Sequence, residues 1–313
     1  MLALTVRRLT SGIVIAFIVS ILTFLLLYFS SSTIVSNFLG EAATPELIAA
    51  KEAELGLDQP LTQRYIDWLV SALQGDLGIS WFTNQPVTSM LAARLPVTLT
   101  LVGATIAVTA VVATILGVAA ATGRGWVDRT IQIGAVAGDA IPGFVLAIIF
   151  VTVFAIGLGW FPATSTIVPN AAAGAWVSSL FLPVVAMSLS AVTGGAQQIR
   201  SAVIAQSRQD YVRTLRSRGI GEQEILFKNV LRSAAPAGLT VLSLQFIGML
   251  GASVLIEQIF ALPGMGAIAV TSTVAGDLPI VMGIVMYTVI IVIIVNLLVD
   301  LANGWLNPKV RVA

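Results

Sequence analysis

The chain has 313 residues, 57% of them hydrophobic and 10% charged, with a mean hydropathy of +0.97; a soluble domain carries about a quarter charged residues. With neither Cys nor His, it has no disulfide, thiolate nucleophile, imidazole metal ligand or His-based triad, and only carboxylate sites stay open. A net charge of +1 gives no reason to expect a nucleic-acid partner; the distribution of the charges is what informs.

Leu9 to Phe29 holds no charge and follows Arg7-Arg8. At about 1.5 Å per residue it covers a hydrocarbon core of roughly 30 Å. Ser30-Ser31-Ser32 offers small residues for signal cleavage, but the apolar run exceeds a signal core, so an uncleaved first span is expected. Ser30 to Pro96 is polar, with seven acids against three bases. Thr44 suits an N-cap, Pro45 the first helical position and Gly56 a helix end; a second helix fits Leu61 to Leu73, with Gly75 beyond it. This segment reads as a small extracytoplasmic subdomain whose helices need other elements to bury their apolar faces.

Further spans are expected at about Val97 to Ala121, Ile131 to Gly157, Trp176 to Ala196, Ala237 to Ile256 and Ile280 to Ala302, six in all. An even count puts both termini on one side. That side then holds Arg7, Arg8, Arg124, Arg129, seven bases between Arg200 and Pro236, Lys309 and Arg311, thirteen of the sixteen basic residues. The positive-inside rule makes it the cytoplasm. Gly238, Gly248 and Gly251 are expected to allow close helix contact, and Pro142 and Pro183 to interrupt the third and fourth spans.

Ionisable side chains in mid-membrane cost about 2.5–3.5 kcal/mol on insertion scales, so each asks for a partner or water. Asp139 is the deepest, divided between a solvent-lined path and an inter-helix hydrogen bond. Glu257 and Asp300 sit near the interfaces, and Gln245 and Asn296 either line a path or bond helix to helix. Asp139 stands nearly alone, which weighs against a proton relay.

The 200–236 loop reads as two short helices joined at Gly219-Ile220-Gly221. The first is basic, with Tyr211 and Leu215 on one face; the second has Glu222 and Glu224 in its first turn, where the helix dipole favours acids, and Leu226, Phe227, Val230 and Leu231 as its stripe. A basic helix lying on anionic lipid is the simpler reading, but it does not call for a glycine turn. No Gly-Lys-Ser or Gly-Lys-Thr occurs, so the chain has no phosphate loop of its own.

Several stretches, in order and spacing, resemble the permease subunits of bacterial and archaeal ABC importers for dipeptides, oligopeptides and nickel, the first permease of each pair. They are Leu55-Gly56-Leu57-Asp58-Gln59-Pro60-Leu61, Gly75-Asp76-Leu77-Gly78-Ile79-Ser80, Arg94-Leu95-Pro96-Val97-Thr98-Leu99, Asp210-Tyr211-Val212-Arg213-Thr214-Leu215-Arg216-Ser217-Arg218-Gly219, Glu257-Gln258-Ile259-Phe260-Ala261-Leu262-Pro263-Gly264-Met265-Gly266 and Asn307-Pro308-Lys309-Val310-Arg311. The resemblance implies an all-α integral membrane protein with the type I ABC importer permease fold, six transmembrane helices and a small extracytoplasmic helical insert (30–96) between the first (1–29) and the permease core (97–313). It implies a coupling helix around Gly219 that docks on an ATP-binding subunit, with Tyr211, Arg213, Thr214, Arg216, Gly219 and Glu222 as its residues. The Glu-Ala-Ala common in importer permeases is replaced here by Arg213-Thr214-Leu215. Asp139, Gln245 and Asn296 become path candidates; Glu257, Pro263, Gly264, Gly266 and Asp76 become candidates for contact with an extracytoplasmic binding protein. The implied partners are a second, homologous permease, two ATPases that bind ATP and Mg, the binding protein and the bilayer, with no cofactor in this chain. The implied solute is a di- or oligopeptide, with nickel, glutathione or another small solute as alternatives. A stand-alone secondary carrier and a non-transporting scaffold are the readings from other classes.

Overall fold

Residues 2–29, 35, 44–123 and 125–306 are described by the structure, a computed structural model. The helices are α1 (Leu2–Phe29), α2 (Pro45–Glu54), α3 (Leu61–Leu73), α4 (Val87–Thr122), α5 (Gly125–Asp139), α6 (Gly143–Phe150), α7 (Ala173–Ser207), α8 (Asp210–Ser217), α9 (Glu222–Glu224), α10 (Leu231–Ile259), α11 (Met265–Ala275) and α12 (Leu278–Leu306). Two π-helical segments, Val151–Gly157 and Ile225–Val230, continue α6 and join α9 to α10. The one strand-like pairing among the described residues is an isolated bridge between Ile79 and Pro86.

Five helical runs are long and apolar enough to cross a bilayer, six when the bent pair α5–α6 is counted as one span. The pair turns by 83° between Gly138 and Gly143. Pro142 lacks an N–H and disfavours helical backbone at Ile141, so the helix ends before it and restarts after it. Pro183 does not interrupt its span as expected: α7 runs unbroken past it, as do α4 past Pro96 and α10 past Pro236. Membrane helices tolerate proline where the freed carbonyl finds another partner.

The chain forms two compact units. In the unit made of Arg7–Thr98 and Pro263–Ile293, α2 starts as its sequence dictates, with Thr44 Oγ1 accepting from the Leu47 N–H at 3.3 Å and Pro45 next. Gly56 (φ +64°) and Gly75 (φ +88°) follow the ends of α2 and α3. Tyr65 and Trp68 on α3 pack with Leu61 and Trp81 around buried Phe24, Leu278 and Met282, and Tyr65 Oη lies 2.8 Å from Ser20 Oγ on α1. The apolar face of α3 is therefore covered by membrane-length helices rather than by α2. A second core joins Leu77, Val87 and Leu91 to Ile268 and Ile280. Gly283 is required there, because an added Cβ would lie 2.7 Å from Val87 Cγ1. The loop between α3 and α4 is pinned by a carboxylate absent from the sequence-based site candidates. Asp277 is 2% exposed and accepts from Ser80 Oγ at 2.5 Å and from the Trp81 N–H at 3.3 Å.

In the other unit, which contains Leu99–Leu262, α7 is the central element and α5, α6 and α10 pack on it. Within this chain Gly248 and Gly251 are exposed, and no atom of the described residues lies within 4 Å of a Cβ added at either. A close helix approach occurs at Gly117 on α4, where a Cβ would lie 2.8 Å from the Ala196 carbonyl oxygen of α7. Asp128 on α5 and Arg200 on α7 form a bidentate ion pair, Nε to Oδ1 and Nη2 to Oδ2, both at 2.6 Å.

Candidate functional site

The 209–231 stretch folds as an elbow. Asp210 opens α8, where the positive end of the dipole favours an acid. At the other end Gly219 adopts φ +78°; the Ile220 N–H donates to the Leu215 carbonyl at 3.3 Å and the Gly219 N–H to the Arg216 carbonyl at 2.9 Å. This is the Schellman arrangement, which satisfies the last carbonyls of the helix and needs a left-handed residue. Leu215 and Ile220 accompany it by packing on a core of Val203, Val212, Ile225, Val230 and Ala234.

That core corrects the faces read from periodicity. Val212 is fully buried with Leu215 half-buried, whereas Tyr211 is 36% exposed and points away. In the second arm Val230 is buried and Leu226 and Leu231 pack half-buried on the same core, as the stripe requires, but Phe227 is 65% exposed and Ile225 is buried in its stead. The backbone there is π-helical, so Ile225 and Val230, five apart, share the buried face and Phe227 falls outside it.

Arg216 and Glu222 lock the elbow across the glycines, Nε to Oε1 at 2.6 Å and Nη2 to Oε2 at 3.0 Å. This bidentate, charge-assisted bond raises the Arg216 guanidinium above its ordinary value, so the side chain stays charged at any working pH. Lys228 and Glu224 pair one turn apart at 2.8 Å. Arg213 only touches Asp210, at 3.5 Å, with both side chains exposed, a contact worth little. Thr214 Oγ1 donates to the Asp210 carbonyl within the helix. Tyr211, Arg213 and Thr214 thus stand on the outward side of α8, while Arg216, Gly219 and Glu222 set the bend.

Of the path candidates, Asp139 ends α5 just before the break at Pro142, and its side chain lies outside the described residues. Gln245 Nε2 donates to the Ala191 carbonyl of α7 at 2.9 Å. Asn296 Oδ1 accepts from Ser243 Oγ at 2.7 Å, a helix-to-helix bond between α12 and α10. The candidates for an outer contact surface divide. Glu257 is 0% exposed, and Gly264 and Gly266 are buried, so these three are not presented as surface. Apolar anchors on either side draw the segment inward: Phe260 at 2%, Leu262 at 1% and Met265 at 4% exposed. Pro263 is half-buried. Asp76 is exposed, but its Oδ1 accepts from the Gly78 N–H at 2.8 Å and shapes its own turn. The Asp128–Arg200 and Ser80–Asp277 bonds were not foreseen. Their partners lie 72 and 197 residues apart, and no local pattern links them.

Five membrane-length apolar helices and one bent pair are the make-up of an integral membrane protein. A chain of the MetNI methionine ABC transporter, solved in inward-facing conformations, superposes with a TM-score of 0.55 at 16% identity, over 70% of this chain and 96% of that one. The fold is thus the type I ABC importer permease fold. Residues 113–312 match the family described as binding-protein-dependent transport system inner membrane component, and residues 1–102 match its N-terminal counterpart. A Brucella abortus protein named as a peptide transport system permease is 38% identical over 312 residues, covering 99% of both chains. The glutathione transport system permease GsiC of Escherichia coli O6:H1 is 31% identical over 312 residues, again covering 99% of both. The chain belongs to the family of binding-protein-dependent transport system inner membrane components, the permease subunits of ABC importers. It is a multi-pass inner-membrane transport subunit and not an enzyme.

Proposed function

We propose that this permease carries di- or oligopeptides, delivered by an extracytoplasmic binding protein, with a second, homologous permease beside it and two ATPases below. The 38% identity, along the whole chain, to a protein named as a peptide permease carries this reading of the solute. The weaker likeness to the glutathione permease favours the same chemistry, because glutathione is itself a small peptide. ATP and Mg belong to the partner ATPases, since this sequence has no phosphate loop.

The elbow is the coupling element. Its bend is internally locked by Arg216 and Glu222, and Tyr211, Arg213 and Thr214 are left outward for a partner. Closure of the ATPases moves the elbows together, and the spans swing as rigid bodies between inward and outward access. The elbow and both termini lie in the cytoplasm, which gathers thirteen of the sixteen basic residues on that side. Residues 30–96, including Asp76, and Pro263 then face the binding protein, and Asp139, Gln245 and Asn296 belong to the path.

The test is uptake of a labelled peptide into vesicles holding the complete transporter, with binding protein outside and ATP within. Uptake is expected only with the ATPases present. Uptake without them identifies a secondary carrier, and accumulation of nickel uninhibited by peptide overturns the solute. A cysteine placed at Ser217, in a chain that has none of its own, is expected to react with an impermeant reagent only from the cytoplasmic side.

A further inference from the structure

Two cavities lie along α10, and they share one residue. The first, about 350 Å³, is lined by Phe144, Met187, Ser190 and, on α10, Gly248 to Ile256. The second, about 580 Å³, is lined by Gly194 and Gln198 of α7 and by Ala237 to Leu244 of α10. Gln245 borders both. From Ala237 to Ile256 the helix rises about 28 Å at about 1.5 Å per residue, close to the whole hydrocarbon thickness of roughly 30 Å. Gln245 therefore stands near the middle of a line of two cavities as long as the membrane is thick.

The way Gln245 is held shows why it divides them. Its Nε2 reaches across to the Ala191 carbonyl of α7 at 2.9 Å. It lies over a glycine pair: a Cβ at Gly195 would stand 3.5 Å from Nε2 and 3.7 Å from Oε1, and one at Gly194 3.9 Å from Nε2. The glycines let the amide lie flat against α7. Its Oε1 is buried without a hydrogen-bond partner among the described residues. An amide bonded at one end and unpaired at the other is a poor permanent strut, because a buried acceptor left unmade costs free energy that water or a solute would recover. It suits a contact that forms and breaks.

Resting on the reading of this chain as a solute path, we propose that Gln245 is the gate of the path it contributes: the bond to Ala191 closes the passage between the two cavities, and parting of α7 and α10 opens it. Among the described residues no charged side chain lines either cavity, so along these two cavities solutes are sorted by size and hydrogen bonding.

The test reads access rather than uptake. In the complete transporter in nucleotide-free vesicles, single cysteines at Ala252, in the first cavity, and Val241, in the second, are treated from one side with a membrane-impermeant thiosulfonate; the natural chain has no cysteine to interfere. With Gln245 in place only one position reacts from a given side. In Gln245→Ala the far position also reacts. In Gln245→Leu, which keeps bulk but loses the amide bond, its rate rises about fivefold to tenfold; this variant decides the matter where the alanine variant fails to assemble on gel filtration. Equal labelling of both positions from one side with Gln245 intact, or unchanged far-side labelling in both variants, overturns the gate. Failure of peptide uptake by the unaltered transporter overturns the solute instead and leaves the labelling pattern as it was.

Discussion

Replacing Gly219 separates two ways in which the elbow could fail. A Cβ built there meets no atom of the described residues within 4 Å, so the first added carbon clashes with none of them. The cost is in the backbone: φ is +78°, and holding a non-glycine residue in the left-handed region costs about 1–3 kcal/mol. Asn tolerates that region, Ala pays a moderate cost, and a β-branched residue pays the most. For Gly219→Val a cost of about 2 kcal/mol reduces the formed elbow roughly 30-fold relative to its frayed form. The loss is confined to the turn, because Val212, Ile225 and Val230 still anchor both arms. ATP-driven uptake, normalised to the amount of assembled transporter, is expected to fall steeply for Gly219→Val, moderately for Gly219→Ala and least for Gly219→Asn. Wild-type uptake by the valine variant would refute the role of the elbow. An asparagine variant as inactive as valine would show that a partner's steric fit, and not the backbone angle, sets the requirement.

Reversing the Arg216–Glu222 pair one residue at a time is expected to lower uptake, and the double exchange Arg216→Glu with Glu222→Arg to restore part of it. Simple additivity of the two losses would remove the pair from the mechanism. Asp277→Ala leaves the Ser80 hydroxyl and the Trp81 N–H without their acceptor and is expected to destabilise the assembled protein by about 1–3 kcal/mol, read as a lower melting temperature in detergent. Gly117→Ala forces a methyl against the Ala196 carbonyl and is expected to cost about 1–3 kcal/mol; Gly248→Ala, where the space is open, serves as the control and is expected to melt unchanged.

Much of the architecture was legible because the bilayer simplifies the physics. Apolar length alone marks a span, so the five membrane-length helices, the helices at Pro45 and Leu61 and the break before Pro142 follow from composition, capping chemistry and proline sterics. The glycine elbow was equally visible, since a left-handed helix stop leaves its mark in two or three residues.

Three things were decided only by the tertiary structure. A π-helical segment brought Ile225 into the buried face of the second arm and turned Phe227 out of it, because period sets face and the sequence does not announce its period there. Burial reversed the reading of Glu257, Gly264 and Gly266, since a charged or flexible residue near a span end looks exposed until its apolar neighbours are seen to fold over it. The bonds Asp128–Arg200, Ser80–Asp277 and Gln245–Ala191 join residues brought together only by helix packing. Local chemistry therefore determined what the elements are and where they stop, whereas which polar groups meet depended on how the packed helices placed residues far apart along the chain.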